Sequence, residues 1–522
     1  MRARNVIALG AAALLLAACG GSNNTQTSSG PKQGGTLTTA IGIDADTLDP
    51  AAQTTTTVSQ MVRMMAEPLV GMDQKGATQP LLATKWQASS DGLSYTFTLR
   101  QGVKFSDGEP FNAQAVKFSI DRLLSPATFK AQPMVLSVIK QTEVIDDSHV
   151  KFDLKSPFAP FVAAMAQTQA AIIAPQSVNQ APNTPAQIVQ PVGTGPYVFK
   201  ERLRSDHITM TRNPNYWGKK PSYQTQVYKV VPDAAARESL VKAGQADVAY
   251  LPPPNDFPAL QHDSDVNLIM GPSDRTVQVV INTQDKTQPL LQKPEVRQAL
   301  NYAVDRQTIV SKALFGAAQP VQSPIASSLF GYCKTGDYAY NPDKAKSMLA
   351  AAGASGMSLQ LMSPQGRYIG DYDVAQAVAG NLRAVGLKVN LPNPPDWPTY
   401  LSVINVAPAK ASTDLHLLGW ASQYLDASGH LVQFQQSQWP PAGLATSYFD
   451  DPQADTLINK ANTETSSSQR QQDYCQAQKM IWNDAPWIFL YNQKNPILTT
   501  NKVTGIYGLP TEQFVTSWAS PK

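Results

Sequence analysis

The chain has 522 residues and a formal net charge of +3, and charged residues make up 16% of it. This near-neutral balance argues against nucleic-acid binding, because phosphate recognition needs clustered positive charge. A hydrophobic content of 42% excludes a disordered chain, and the length of 522 residues allows two or three domains with large cores.

Residues 1–18 have the features of a secretory signal. Arg2 and Arg4 form a positive start, and an apolar run then ends in small residues before Cys19. The run is shorter than the ~20 residues that a membrane-spanning helix needs. Leu-Ala-Ala-Cys at 16–19 resembles a bacterial lipobox, which implies that Cys19 is diacylated and becomes the mature N-terminus. An ordinary signal peptide with a chance cysteine is the alternative.

Residues 19–33 are small and polar, which is typical of a flexible tether. No later segment reaches 18 consecutive apolar residues. We therefore expect a globular body that is held by its N-terminal lipid at the extracytoplasmic face of the cell membrane, either at the cell surface or in a periplasm.

The body alternates short strands with amphipathic helices. Residues 36–41 are rich in branched side chains and predict a strand. Tyr95, Phe97 and Leu99 alternate with polar residues, as in a half-buried strand. Residues 114–124 place their apolar side chains on one helical face. This mixture of elements predicts an α/β fold.

Three later helices are marked by their ends. Asp233 is a suitable N-cap for a helix that Gly244 would end. Pro294 is a typical first helical residue. Asn341 would cap a third helix, with Gly353 just after its last turn.

The sequence shows no pattern of catalytic residues. It contains no nucleophile-elbow, HExxH or CxxC pattern, and its histidines are scattered. Residues 192–196 hold two glycines of a possible phosphate loop, but Pro196 removes a backbone donor, so a turn is the better interpretation. We expect no enzyme activity, no catalytic residue, no cofactor and no bound metal.

The cysteines predict one disulfide. If Cys19 is acylated, Cys333 and Cys475 remain, and the predicted compartment is oxidising. Two buried free thiols are the alternative.

A series of segments resembles one protein family. SDGLSYTFTLRQGVKFSDGEPFNAQAVKFSIDRLL at 90–124 resembles the signature of the family-five extracellular solute-binding proteins, which are peptide, dipeptide and nickel receptors of bacterial ABC importers. Further matches follow in the order of the family, among them TLDP at 47–50, PVGTGPYVF at 191–199, VRQALNYAVDR at 296–306 and APWIFLYN at 485–492.

The resemblance implies a periplasmic-binding-protein-like (type II) α/β fold with two lobes and an extra inserted domain. Domain I would comprise 34–65, 190–275 and 493–522, domain II would be the inserted lobe 66–189, and domain III would be 276–492. The ligand would lie in a cleft that closes by hinge bending.

The resemblance also implies ligand-binding residues. The TLDP loop contributes Leu48 and Asp49, an aromatic position falls on Trp397, and Tyr491 lies near hinge and cleft. A segment that lines the site in relatives contributes the remaining expected residues, which are Gly419, Trp420, Ala421 and Gln423.

Gln423 departs from the peptide-binding pattern, which has an aspartate that holds the free α-ammonium of the ligand. A charge-assisted hydrogen bond is worth about 1.5–3 kcal/mol, so its loss matters. Three explanations stay open at this point. Another acid, such as Asp426 or Asp44, could supply the charge; the peptide could have a blocked or differently placed amine; or the ligand could be another polar molecule, such as an oligosaccharide.

The main hypothesis is a monomeric, lipid-anchored receptor that delivers oligopeptides or a related polar solute to the permease subunits and ATPases of an ABC importer. A receptor for an oligosaccharide, an opine or a metal chelate is the alternative within the family. A secreted hydrolase or a chaperone-like surface lipoprotein is the alternative from another class.

Overall fold

The computed structural model describes residues 34–45, 47–52, 56–125, 136–178, 190–365, 367–395, 397–422 and 424–522, and only the backbone of 397 and 398. Five sequence-based expectations lie outside this description. They are the signal peptide 1–18, the tether 19–33, the lipidation of Cys19, the role of Gln423 and the placement of the Trp397 side chain.

Three β-sheets organise the molecule. In spatial order, the seven-stranded sheet consists of Val266–Gly271, Asn495–Thr500, Val248–Tyr250, Thr36–Ile41, Thr225–Val230, His207–Arg212 and Tyr197–Leu203. The six-stranded sheet consists of Ala318–Pro320, Trp487–Gln493, Thr276–Ile281, Leu415–Trp420, Ser358–Met362 and Lys388–Asn390. The four-stranded sheet consists of Ala83–Ala88, Ser94–Leu99, His149–Leu154 and Ile139–Asp146. Short strand pairs are Val70–Met72 with Thr78–Pro80, Val503–Thr504 with Ser520–Pro521, and Tyr507–Gly508 with Phe514–Val515.

Helices pack around these sheets. The α-helices are Thr56–Met65, Ala113–Leu124, Phe161–Ala164, Ala234–Lys242, Phe257–Leu260, Pro294–Tyr302, Arg306–Thr308, Pro342–Ala351, Asp371–Ala384, Trp397–Ile404, Ser428–Leu431, Pro452–Thr463 and Ser467–Asp484, and Ile309–Ala313 is a π-helical turn. The 3₁₀ turns are Pro50–Ala52, Leu136–Val138, Thr168–Ala170, Pro175–Ser177, Pro254–Asp256, Pro289–Gln292, Pro408–Lys410, Val432–Phe434 and Gln436–Gln438. Within the described ranges, no helix has the length and apolarity that a membrane crossing requires.

The helix-end predictions are confirmed. The Asp233 side chain accepts a hydrogen bond from the backbone N–H of Ala236 at 2.7 Å, and Gly244 follows the helix with a φ of +68°. Pro294 is the first residue of its helix. Asn341 caps the helix Pro342–Ala351. The helices that follow Asp233 and Asn341 begin there because the cap side chain accepts a hydrogen bond from a free N–H group of the first turn, whereas Pro294 has no N–H group to satisfy.

The predicted turn at 192–196 allows a close backbone approach. A Cβ atom on Gly195 would lie 2.3 Å from the carbonyl oxygen of Met64, and one on Gly193 would lie 2.3 Å from that of Met65. Only glycine fits this contact, so both glycines pack the turn against the end of a helix.

The four-stranded sheet has a core of its own. Phe97, Phe152 and Phe161 are fully buried in it, and their rings contact one another with centroids 5.5–6.3 Å apart. Burial of such side chains stabilises a fold by about 1.5–3 kcal/mol each. We call the four-stranded sheet with its helices the small lobe.

The chain passes twice between the seven-stranded and the six-stranded sheet. Residues 272–275 form the first crossing and Lys494 the second, and we call them the crossover segments. They lie side by side, because Gln493 donates its N–H to the carbonyl of Arg275 at 2.9 Å and Asn492 Nδ2 donates to that of Ser273 at 3.0 Å.

The structure contains a disulfide between Cys333 and Cys475. It joins the segment around Cys333 to the middle of the helix Ser467–Asp484 and closes a chain segment with a sequence separation of 142.

Candidate functional site

A cavity of about 970 Å³ lies between the small lobe and the body built on the six-stranded sheet. The small lobe contributes side chains from residues 137–169, and the opposite wall comes mainly from residues 401–462. The two walls touch beside the cavity, where Ala159 donates its N–H to the carbonyl of Asn462 at 2.9 Å. The small lobe and the opposite wall thus meet at one edge of the cavity, whose volume lies in the range of small-molecule sites.

Arg275, at the end of the first crossover segment, forms part of the wall. Its guanidinium donates from Nε to Oε1 of Glu512 at 2.8 Å, from Nη2 to Oε2 of Glu512 at 2.5 Å, and from Nη1 to the carbonyl of Gly419 at 3.2 Å. Burial alone would raise the pKa of Glu512, but Arg275 and other donors outweigh it and the pKa lies below its usual range. This buried ion pair fixes the crossover segment against the cavity.

Arg367 enters the cavity from the loop before the helix Asp371–Ala384. The carboxylate of Asp371 accepts hydrogen bonds from the N–H groups of Arg367 and Tyr368, at 2.8 and 3.0 Å, and so holds the loop. The Arg367 guanidinium lies 5.0 Å from the centre of the Tyr368 ring. Desolvation, and then the neighbouring Arg275, lower the pKa of Arg367.

The described part of the lining carries positive charge only. Its ionisable cations are Lys155, Arg275 and Arg367, and no aspartate or glutamate is among its described residues. Lys155 belongs to the small lobe, whereas Arg367 belongs to the opposite wall. Glu512 pairs with Arg275 and also attracts Arg367. Since all the ionisable side chains of the described lining are cations, the lining suits a ligand that carries negative charge.

The predicted segment at 419–422 lines the cavity. Gly419, Trp420 and Ala421 are all in the wall, as expected from the resemblance. Gly419 has no room for a side chain, since a Cβ atom would lie 2.7 Å from the Tyr368 ring. Trp420 is oriented by a 2.7 Å hydrogen bond from its Nε1 to the carbonyl of Gly429.

A buried carboxylate connects this segment to the crossover. Asp274 accepts a hydrogen bond from the N–H of Ser422 at 2.7 Å, and His430 Nε2 lies 3.6 Å from the same oxygen. Burial raises the pKa of Asp274. These contacts attach the binding wall at Ser422 to the first crossover segment.

Two acids that could have replaced the missing aspartate are occupied elsewhere. Asp426 is buried and pairs with Arg470 at 2.7 Å. Asp44 pairs with Arg202 at 3.1 Å and accepts a hydrogen bond from the N–H of Ser205. Neither belongs to the described cavity lining, and both carboxylates are paired with an arginine.

Three residues expected in the site lie outside the cavity lining. Leu48 is buried in the core of the seven-stranded sheet. Asp49 is fully buried and forms a two-point ion pair with Arg122 of the small lobe. Tyr491 is fully buried in the core between the two large sheets. Arg122 neutralises the Asp49 carboxylate, and this ion pair links the TLDP loop to the small lobe.

Arg367, Lys155 and Leu444 are lining residues that sequence reasoning missed. No local pattern distinguishes them from the other basic and apolar residues of the chain. The fold alone brings them to one cavity. Within the described ranges, no group of three or more His, Cys, Asp or Glu side chains is arranged to hold a metal ion.

Sequence comparisons relate the chain to known proteins. Residues 77–441 match the family described as bacterial extracellular solute-binding proteins, family 5 Middle. The chain is 31% identical over 478 residues to the glutathione-binding protein GsiB of Pectobacterium atrosepticum, covering 91% of this chain and 92% of the relative.

Solved structures share the fold. The periplasmic binding protein DppA of Helicobacter pylori, in complex with the peptide STSA, superposes with a TM-score of 0.81 at 24% identity, covering 94% of this chain and 98% of that one. AgaA of A. tumefaciens R10, in complex with agropinic acid, gives a TM-score of 0.77 at 26% identity, covering 94% and 99%. The predicted type II fold is thus confirmed. The chain belongs to the family-5 extracellular solute-binding proteins, which are the substrate receptors of ABC importers.

Proposed function

We propose that this protein is the lipid-anchored receptor of an ABC importer, and that it captures a peptide or peptide-like solute with a free carboxylate. The observation that carries the proposal is the charge of the cavity, whose described lining contains cations from both walls and no carboxylate. The receptor releases the solute unchanged to a membrane permease.

The carboxylate has a suitable partner in Arg367. A guanidinium can bind both oxygens of a carboxylate through two parallel hydrogen bonds, which gives strength and orientation. Lys155 adds a second positive charge from the small lobe. A ligand that contacts cations of both lobes binds the closed form better than the open form, and this difference in affinity drives closure.

A neutral residue at Gln423 is compatible with a ligand that is recognised through its carboxylate. In this proposal the described wall recognises an anionic group of the ligand. A protein carboxylate that binds a ligand ammonium group is then not the main determinant of affinity. The named ligands of two similar proteins are glutathione and agropinic acid, and both compounds carry carboxylates. This favours acidic or amine-blocked ligands over neutral oligosaccharides.

The proposed division into domains follows the three sheets. Residues 34–65, 190–275 and 493–522 would form domain I, residues 66–189 domain II, and residues 276–492 domain III. Closure would bend the crossover segments, and Gly419, Trp420 and Ala421 would contact the ligand. We assign the lipid to Cys19, which would hold the receptor near its permease.

The carboxylate requirement is tested with matched probes. An equimolar mixture of tripeptides with free C-termini is compared with the same mixture carrying C-terminal amides, and bound peptides are identified by mass spectrometry. We expect retention of the free acids and at least a tenfold loss in Arg367→Ala, because a charged hydrogen bond is worth about 1.5–3 kcal/mol.

Arg204→Ala is the matched control, since Arg204 is exposed and lies outside the cavity lining. Equal retention of acids and amides would contradict the proposed carboxylate site. Retention of no peptide by the wild-type protein would reject the peptide class as well.

A further inference from the structure

Part of the cavity wall is apolar, and a ligand carboxylate does not account for this part. Five aliphatic side chains line it on the side of the six-stranded sheet, and we call them the apolar wall: Leu401, Ile404, Leu418, Val432 and Leu444. We infer that the ligand combines its carboxylate with a bulky apolar group that packs on this wall. The inference rests on the proposed function and narrows its substrate class.

Regular elements hold most of the apolar wall in place. Leu401 and Ile404 are three residues apart in the helix Trp397–Ile404 and therefore share one face. Leu418 lies in the strand Leu415–Trp420, one residue before Gly419. Leu418 therefore connects the apolar wall to the predicted binding segment, which begins at Gly419.

Leu444 is the most informative member, because 45% of its surface is exposed. Its loop is held by hydrogen bonds from Ala445 N–H to the Gln438 carbonyl at 2.8 Å and from Trp439 Nε1 to the Phe449 carbonyl at 3.1 Å. Gly443 allows the tight loop, since a Cβ atom there would lie 2.6 Å from the Gln438 oxygen. The loop therefore presents a leucine to the cavity in a fixed position.

The size of the cavity leaves room for such a group. A volume of about 970 Å³ lies near the upper end of the ~300–1,000 Å³ range of small-molecule sites. Leu444 is exposed and Leu401 and Val432 are half-buried, so these side chains keep apolar surface at the cavity, and an apolar ligand group that covers this surface gains free energy. A short polar solute would leave this surface wet.

The test uses an equimolar tripeptide mixture with free C-termini, in which leucine, isoleucine, valine and phenylalanine are matched against asparagine, glutamine, serine and threonine. The peptides retained by the purified full-length protein are quantified by mass spectrometry. We expect about tenfold enrichment of peptides with apolar side chains, the discrimination typical of a hydrophobic pocket. Leu444→Ala and Leu401→Ala should each reduce this enrichment severalfold.

Leu203→Ala is the matched control, since Leu203 is 58% exposed and lies outside the cavity lining. Equal retention of polar and apolar peptides would overturn the apolar-wall inference while the carboxylate proposal stands. The same holds if Leu444→Ala and Leu203→Ala show equal enrichment of apolar peptides. If amidated and free peptides are retained equally but apolar enrichment persists, the carboxylate proposal fails and the apolar wall stands. Retention of no peptide overturns both.

Discussion

Glu67 shows how a single buried group can make stability depend on pH. Its carboxyl group accepts hydrogen bonds from Thr194 Oγ1 at 2.8 Å, Trp217 Nε1 at 2.9 Å and Tyr216 Oη at 3.1 Å. Burial nevertheless raises the pKa of Glu67 to about 7, because three donors do not replace the water that the charged form loses. The folded protein therefore prefers the protonated carboxyl group.

The raised pKa predicts a loss of stability with rising pH. The folded state keeps the Glu67 proton between the unfolded value near pH 4.5 and about pH 7, so stability falls across that window. Glu67→Gln mimics the protonated form, since its amide can donate to Tyr216 Oη. We expect the variant to gain up to ~3 kcal/mol over wild type at pH 8 and little at pH 4.5.

Urea unfolding of both proteins at several pH values measures this difference. The prediction fails if wild type and Glu67→Gln show the same pH dependence between pH 4.5 and 8.

At the scale of elements, the sequence predicted the features that depend on contacts between residues close in the chain. The N-caps Asp233 and Asn341 could be predicted from the sequence, because each cap contacts the residue three positions further along the chain. The ion pair of Asp49 with Arg122 could not be predicted, because Arg122 is 73 residues away and nothing near Asp49 in the sequence indicates it. Arg367 was missed for the same reason, since only the tertiary fold brings its loop to the cavity.

The crossover elements depend on one buried ion pair. Glu512→Gln leaves Arg275 buried without its counter-charge, and such a loss costs about 3–5 kcal/mol. We expect a clearly lower urea midpoint for this variant. The double variant Arg275→Met/Glu512→Met should recover part of the loss, because apolar residues of similar size need no counter-charge.

An unchanged midpoint in Glu512→Gln would show that the pair contributes nothing to stability. A double variant less stable than the single one would show that the charge pair itself, and not the unpaired cation, is the important feature.

At the scale of the whole molecule, the two crossings between the large sheets predict hinge motion. Since residues 272–275 and Lys494 are the only crossings within the part of the chain that the structure describes, the lobes can rotate with little change inside either sheet. We expect the protein with bound tripeptides to scatter X-rays as a compact body with a radius of gyration near 24 Å. The emptied protein should give a larger value.

Small-angle scattering before and after addition of the tripeptide mixture measures this change, and Arg367→Ala under the same conditions is the control. Identical profiles for the empty and the loaded wild-type protein would contradict hinge closure.

The disulfide between Cys333 and Cys475 has a consequence for the integrity of the receptor. The covalent ring it closes contains Arg367, the segment 419–422 and the whole apolar wall. A single proteolytic nick within this ring cannot release a fragment, because both new ends remain linked through sulfur. A single cut within residues 333–475 therefore leaves Arg367, the segment 419–422 and the apolar wall covalently joined to the rest of the chain.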